Sequence, residues 1–383
     1  MYGVDPPLTM KRVRSPNSQK NPRNKVVVRV PATSANMGPG FDSFGVALNV
    51  FNELRVERLP EGRGLEVRVR GEGAGSLPED SSNMVAASAL EGFLAAGGTP
   101  GPCGGLPDVR LTCVNNIPPA RGLGSSSAAL VSGLGAGLVL AGENLADPGT
   151  KHRLLQMATA TEGHPDNVAP AIYGGMQVAI EGGGQWISQR IACPAAIQAV
   201  LFIPDFQSLT AETRAELPTA VPIADAVHNI SRAAMLVNCF ATGRLEALRY
   251  ACEDRLHQPI RGKIFPLELR DMIDTALAHG AHGCWISGAG PTILALTGGH
   301  GGDVDGDSVA TFEAVAVSEA MQRLAREAGL EGRVLISEPT PDGVRSVDGM
   351  GRVLDIPRSI GPQTSPAVDS NPLQPGLGSD GYA

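Results

Sequence analysis

The stretch 117-IPPARGLGSSSAALVSGLGAGLVLAG-142 opens on two prolines, passes through Gly122 and Gly124, and meets three serines before an apolar run of small residues. Glycines let a backbone turn its N–H groups inward and let an anion come close. Ser125, Ser126 and Ser127 fall where the apolar run begins, which predicts a helix N-terminus there. Free N–H donors and the positive end of the helix dipole then face whatever the loop holds. The stretch reads as a phosphate cradle. It lacks the lysine of a Walker loop, which argues against a P-loop NTPase. The helix terminus together with Mg²⁺ supplies the positive charge that such a lysine provides elsewhere. The plainer alternative is a glycine-rich cap on a packed helix, and this stretch by itself does not separate the two.

The 383 residues suffice for two domains, each with its own core. A net charge of −8 argues against nucleic acid or an anionic membrane as the main partner. The six cysteines are scattered, with no CxxC and no histidine at ligand spacing. They read as reduced thiols of a cytoplasmic protein, not as a zinc site. The polar, basic segment 1–24 lacks the apolar centre of a signal peptide and is expected to be a disordered arm. The longest apolar run, 128–141, is too short to span a bilayer.

Working outward, 26-VVVRV-30 predicts a strand and 32-ATSANMGPGFD-42 a loop. Alternation in 65-LEVRVRG-71 predicts a half-exposed antiparallel strand, and 54–59 and 109–115 are further strands. Ser81 and Ser82 offer N-caps for a helix over 83–97, and a second helix is expected over 151–161, before a strand near 176–180. From 197 the pattern continues as a buried strand, helices at 211–217, 224–241, 243–252 and 266–279, then strand, glycine turn and strand over 283–297. A helix at 311–328 and a strand at 333–337 follow, with a Pro/Gly/Ser-rich tail over 346–383. These readings predict an α+β chain divided into 25–190 and 191–345, with no internal repeat.

Two further segments flank the cradle in a fixed order: 31-PATSANMGPGFD-42 before it and 286-ISGAGPT-292 after it. On these three motifs the chain resembles the GHMP kinases, whose Pro-x-x-x-Gly-Leu-Gly-Ser-Ser loop is matched by Pro118, Gly122, Leu123, Gly124, Ser125 and Ser126. The first motif, 162-EGHPDNVAPA-171 and 256-LHQPIR-261 resemble the homoserine kinase branch, and the likeness covers about residues 26–340. It implies an N-terminal domain like ribosomal protein S5 domain 2 and a ferredoxin-like C-terminal domain. It also implies transfer of the ATP γ-phosphoryl group to the hydroxyl of L-homoserine, in threonine biosynthesis, with Mg²⁺ as cofactor. A homodimer is common in the family. A mevalonate or sugar kinase, or an inactive ATP-binding relative, stands as the alternative.

Carried over position by position, the resemblance implies that ATP is held by residues 118–128 (Pro118, Pro119, Ala120, Arg121, Gly122, Leu123, Gly124, Ser125, Ser126, Ser127 and Ala128), with Asn83 near the adenine. Ala120 stands where many GHMP kinases have glycine and fits the loop at a negative φ; Arg121 either binds phosphate or faces solvent. Ser126 and Glu162 would hold Mg²⁺, a hard cation suited to oxygen ligands. Asn36, Asp42, His164, Asn167, Arg214 and Arg261 would contact homoserine, the arginines as a paired clamp on its carboxylate and Asp42 orienting its hydroxyl. Thr210 belongs to the same Thr-x-x-x-Arg segment as Arg214. Mevalonate-kinase-like members carry an aspartate near Asn167; asparagine cannot take a proton, so the expectation is phosphoryl transfer without a dedicated base.

Overall fold

The computed structural model describes residues 25–101, 104–208, 210–299 and 311–347, with the side chains of 210–212 left aside. The basic arm, Cys103 and the segment beyond 347 lie outside the described residues. The first half of the chain forms β1 (Lys25–Ala35), β2 (Phe44–Arg58), β3 (Leu65–Gly71), α1 (Met84–Ala95), β4 (Val109–Asn115), α2 (Ser125–Leu140), α3 (Pro148–Glu162), α4 (Val168–Tyr173), β5 (Met176–Gly182) and β6 (Gln185–Ile191). The second forms β7 (Ile197–Pro204), α5 (Thr210–Ala215), α6 (Ile223–Thr242), α7 (Leu248–Ala251), α8 (Gln258–Arg261), α9 (Leu269–Ala278), β8 (Gly283–Ile286), β9 (Ile293–Gly298), α10 (Phe312–Glu327), β10 (Gly332–Ser337) and β11 (Arg345–Val347).

The first sheet runs β11-β1-β2-β4-β3, with β5 also on β2 and β6 on β5. The branching follows from the length of β2. Its start, Phe44–Val46, pairs with β5, and its end, Glu53–Arg58, pairs with β4. The register of β1 shifts at Pro31/Ala32, where proline has no N–H for the ladder. Beyond that shift the chain stays extended to Ala35, so 32–35 is strand and not the expected loop. The alternation in β3 holds as expected, with Val67 and Val69 buried and Arg68 and Arg70 exposed, but β3 pairs with β4 in parallel. Helix α1 is capped by Asn83, whose side chain accepts from the Val85 N–H, and not by Ser81 or Ser82.

The small-residue run of α2 is explained by its neighbour. A Cβ at Gly133 would stand 2.0 Å from Ser88 Oγ, and one at Gly137 would stand 2.1 Å from the Ala89 carbonyl oxygen. Larger residues would force α1 and α2 apart. This close packing fixes the axis of α2, and with it the direction in which its N-terminus points.

The second sheet runs β10-β7-β9-β8, all antiparallel. In chain order that is fourth, first, third, second, with helices in both crossovers, the ferredoxin-like arrangement. One face of β7 (Val200, Phe202) packs on Met272, Val317 and Met321 of α9 and α10. The other face (Ala199, Leu201, Ile203) joins the same core as the first sheet and α2. Residues beyond β10 then return: Leu48 bridges Pro339, and β11 pairs with β1. Ser346 and Val347 are thus buried strand residues, not the start of a loose tail. Among the described residues no helix is long and apolar enough to cross a membrane, and Cys113, Cys193, Cys239, Cys252 and Cys284 are free thiols.

Candidate active site

The three glycine motifs meet. Ser287 Oγ donates to the Gly122 carbonyl (2.6 Å), and Asn36 Nδ2 donates to the Gly288 carbonyl (2.9 Å). Backbone bonds reinforce the seam, from the Thr292 N–H to the Arg121 carbonyl (3.2 Å) and from the Gly288 N–H to the Ala35 carbonyl (3.1 Å). At Gly122 (φ 75°) an added Cβ would lie 2.3 Å from the Ser287 carbonyl oxygen. Gly124 (φ 67°) is the N-cap of α2, and a Cβ there would lie 1.9 Å from Thr33 Oγ1. Gly124 brings no side-chain acceptor to the first turn of α2, and Gly124, Ser125 and Ser126 line the cleft, so the helix start is placed to receive an anion.

Ala120 has φ 54°, in the left-handed region, against the negative φ expected of it. The turn is held from outside: the Ser208 N–H donates to the Ala120 carbonyl (3.1 Å). Arg121 lines the cleft but spends its guanidinium on the backbone carbonyls of Asp205 and Pro119, stitching the loop to the second half. Burial pushes its pKa down from the ordinary arginine value.

Glu162, the last residue of α3, faces the loop. Its Oε1 accepts from Ser126 Oγ (3.0 Å) and Ser127 Oγ (3.0 Å). Gly163 (φ 87°) ends α3 in the left-handed region and turns the chain so that His164, Asp166 and Asn167 line the same cleft. Asn167 Oδ1 accepts from Thr33 Oγ1 (2.7 Å). His164 Nδ1 lies 2.6 Å from Asp166 Oδ1. Burial opposes the imidazolium, but the hydrogen bond and charge of Asp166, with Asp42 beyond, leave the His164 pKa raised.

The opposite wall is cationic. Arg214, on α5, makes a two-pronged bond to Asp42, with Nη1–Oδ2 at 2.9 Å and Nη2–Oδ1 at 2.6 Å. That hydrogen-bonded pairing raises the Arg214 pKa. Asp42 (φ 55°) is held in its turn by its own N–H, which donates to Asn36 Oδ1 (3.0 Å). Arg261, at the end of α8, is buried and donates to the Gly288 carbonyl (2.9 Å). Burial, then the nearby Arg214 charge, push its pKa down. Asp254 orders the start of α8 by accepting from the N–H groups of His257 (2.9 Å) and Gln258 (2.7 Å).

Asn36, Asp42, Ala120, Arg121, Gly122, Gly124, Ser125, Ser126, Glu162, His164, Asn167, Arg214 and Arg261 therefore line one cleft of about 190 Å³. Ser127 does not line it; it is buried and reaches the cleft only through its bond to Glu162. Pro118, Pro119, Leu123 and Ala128 do not line it; Leu123 and Ala128 point into the core. Asn83 does not line it either: its amide caps α1 and donates to the Pro78 carbonyl (2.6 Å). The Thr210 side chain lies outside those described. Sequence reasoning noted Asp166 beside Asn167 without assigning it to the site, and passed over Thr33, Phe41 and Ser208; Thr33 and Phe41 lie within the first motif, and Ser208 carried no signal. A larger groove of about 950 Å³ lies beyond α8, but none of the three glycine motifs reaches it.

The family profile for the GHMP kinases N terminal domain matches residues 83–175, and that for GHMP kinases C terminal matches 236–323. The homoserine kinase of Moorella thermoacetica is 40% identical over 300 residues, 78% of this chain and 96% of that protein. The chain belongs to the GHMP kinase family, in its homoserine kinase branch. The homoserine kinase of Trichormus variabilis is likewise 40% identical, over 81% of this chain and 95% of its own. Among solved structures, homoserine kinase from Cytophaga hutchinsonii superposes with a TM-score of 0.70 at 26% identity, covering 85% of this chain and 98% of that one. L. major mevalonate kinase, solved in complex with R-mevalonate, shares the fold at a TM-score of 0.59 and 16% identity, over 82% of this chain and 96% of that one. The GHMP kinase fold thus accounts for both sheets and for the meeting of the three motifs between them.

Proposed function

We propose that this chain is a homoserine kinase: it transfers the γ-phosphoryl group of ATP to the side-chain hydroxyl of L-homoserine, giving O-phospho-L-homoserine and ADP, a step toward threonine. The observation that carries the reading is the pairing, in one small cleft, of an anion cradle with two arginines. The cradle is the loop through Gly122 and Gly124 leading into α2, and the arginines are Arg214 and Arg261. An alcohol bearing a carboxylate needs both. Mevalonate also has both, but homoserine adds an ammonium group, and the cleft offers Asp42 and Asp166 to receive it. The 40% identity to homoserine kinases over most of the chain supports the same choice.

In this proposal the homoserine carboxylate takes the place of Asp42 on the Arg214 fork, with Arg261 beside it. Asp42 is then released to receive the ammonium or hydroxyl hydrogen, and His164, oriented by Asp166, meets the polar end of the substrate. The amides at the start of α2 hold the phosphate oxygens. The hydroxyl oxygen forms its bond to the γ-phosphorus as the bond to the β–γ bridging oxygen breaks. Phosphoryl transfer has a loose transition state, so the hydroxyl proton can leave late and no dedicated base is required. Ser126 and Glu162 suit Mg²⁺, since two oxygen donors 3.0 Å apart face the phosphate loop. When bound there, Mg²⁺ neutralises phosphate charge. The free thiols fit a reducing, cytoplasmic setting. A homodimer belongs to the same proposal. Ile223, Val227 and Ile230, respectively 82%, 58% and 69% exposed along α6, offer it an apolar face, and sedimentation of the purified chain tests it.

The function is tested by ADP release with Mg²⁺-ATP and homoserine, threonine, serine, mevalonate or galactose as separate acceptors. Turnover with homoserine well above the rest is the expected result. Activity with a different alcohol and none with homoserine overturns the substrate while leaving the cradle intact.

A further inference from the structure

Two guanidiniums converge on the cleft, yet only Arg214 has a carboxylate partner. Arg261 donates to neutral acceptors, the Gly288 carbonyl at 2.9 Å and His257 Nδ1 at 3.3 Å, and its buried Nε has no hydrogen-bond partner. Between the arginines stands Phe41. The Cζ of Arg214 lies 5.4 Å from the centre of its ring, and the Cζ of Arg261 also lies 5.4 Å from it. The ring stacks as well on His257, with centroids 5.4 Å apart and planes 29° from parallel. His257 is itself pinned, its Nε2 2.8 Å from the Gly38 carbonyl.

We propose that Phe41 is a positioning residue for the acceptor's carboxylate, an aromatic shelf whose electron-rich ring holds Arg214 and Arg261 together without itself taking up any of their N–H donors. The inference rests on the reading of the acceptor as an amino acid bearing a carboxylate. A guanidinium has a flat face and a rim of donors. An acidic side chain placed between the two would neutralise them but would occupy those donors. A ring attracts the cations through its quadrupole and competes for none of the hydrogen bonds. Phe41 is adjacent to Asp42, so the residue that fills the Arg214 fork and the one that supports it move on one turn of chain.

The fluorinated series keeps the ring's shape and changes its electrons, and a leucine removes the ring. Phe41 is replaced by 4-fluoro-, 3,5-difluoro- and 3,4,5-trifluorophenylalanine, with Phe41→Leu as the extreme. Expected is a stepwise rise in KM for homoserine, to roughly tenfold across the series, since each cation–ring contact contributes a few-fold. Expected too are kcat within about twofold, an unchanged KM for ATP and an unchanged unfolding midpoint in the fluorinated proteins. With 2-amino-1,4-butanediol, which lacks the carboxylate, kcat/KM stays level across the series. A flat KM for homoserine overturns the inference, as does an equal rise for the diol or ATP, which would mark simple packing. If the wild-type chain does not phosphorylate homoserine at all, the acceptor reading fails and this inference falls with it.

Discussion

Replacing Gly122 by alanine perturbs the seam where the loop, the first motif and the last motif meet. A left-handed φ at a residue with a Cβ costs about 1–2 kcal/mol. Here φ is 75°, and the new Cβ would also stand 2.3 Å from the Ser287 carbonyl oxygen and 2.8 Å from that of Gly290. Both are backbone atoms, so relief requires the two loops to separate. That separation breaks the Ser287-to-Gly122 bond (2.6 Å) and the Thr292-to-Arg121 bond (3.2 Å), at about 1 kcal/mol each. The total is about 3–4 kcal/mol, or roughly 5 °C in unfolding midpoint for a chain of this size. Ala120→Gly, two residues earlier, has the opposite sign. It removes a strained φ of 54° and adds the chain entropy of glycine, so the midpoint should hold or rise by a few degrees with activity retained. Thermal unfolding by circular dichroism and initial rates decide the pair. A Gly122→Ala protein within about a degree of the parent, or an Ala120→Gly protein that is the more damaged of the two, would refute the reasoning.

Glu162→Gln keeps an acceptor for Ser126 and Ser127 but removes the charge; kcat should fall by roughly a hundredfold and the Mg²⁺ requirement should rise, with the unfolding midpoint nearly unchanged. The raised His164 pKa means that its charged form is favoured in the fold, so its contribution to stability is full below the ordinary value of 6.5 and is lost as pH rises through the raised value. The difference in midpoint between wild type and His164→Gln should therefore shrink as pH rises above the ordinary value of 6.5, and a difference that grows with pH contradicts it. Burial pushes the Cys113 thiol up to about 11 and also raises those of Cys252 and Cys284 well above the ordinary value. A thiol reagent at pH 8 should leave these three unmodified in the native protein and modify them after denaturant is added; rapid native labelling, read by mass spectrometry of peptides, would count against the buried placement.

Much of this was legible in the sequence because the cradle is local. Gly122, Gly124 and the three serines announce a loop entering a helix whatever surrounds them, and Glu162 and His164 lie in one short segment. What the sequence hid is what depends on pairing across long separations. Alternation in β3 reports which side chains are buried, and says nothing about strand direction, hence the parallel pairing with β4. Thr33 and Ser34 look like loop residues, yet they sit in β1 with hydroxyls turned to Asn167 and Trp285. Helix α4 was masked by its proline, which the first turn of a helix tolerates. The Arg214–Asp42 fork joins residues 172 positions apart, and no local pattern announces such a bond. Asn83 illustrates the reverse: its position in the helix start was readable, and its side chain serves that helix.

The return of β11 to the first sheet has a mechanical consequence. The ferredoxin-like half is spliced into its neighbour at two places, between β6 and β7 and again between β10 and β11. A body hung on one linker is tethered at a single point, whereas one sewn in at both ends is tethered at two, and its freedom is cut accordingly. Shortening the chain ahead of Arg345 would do more than trim an end: it would remove the strand that pairs with β1 and leave the second half joined at one seam alone.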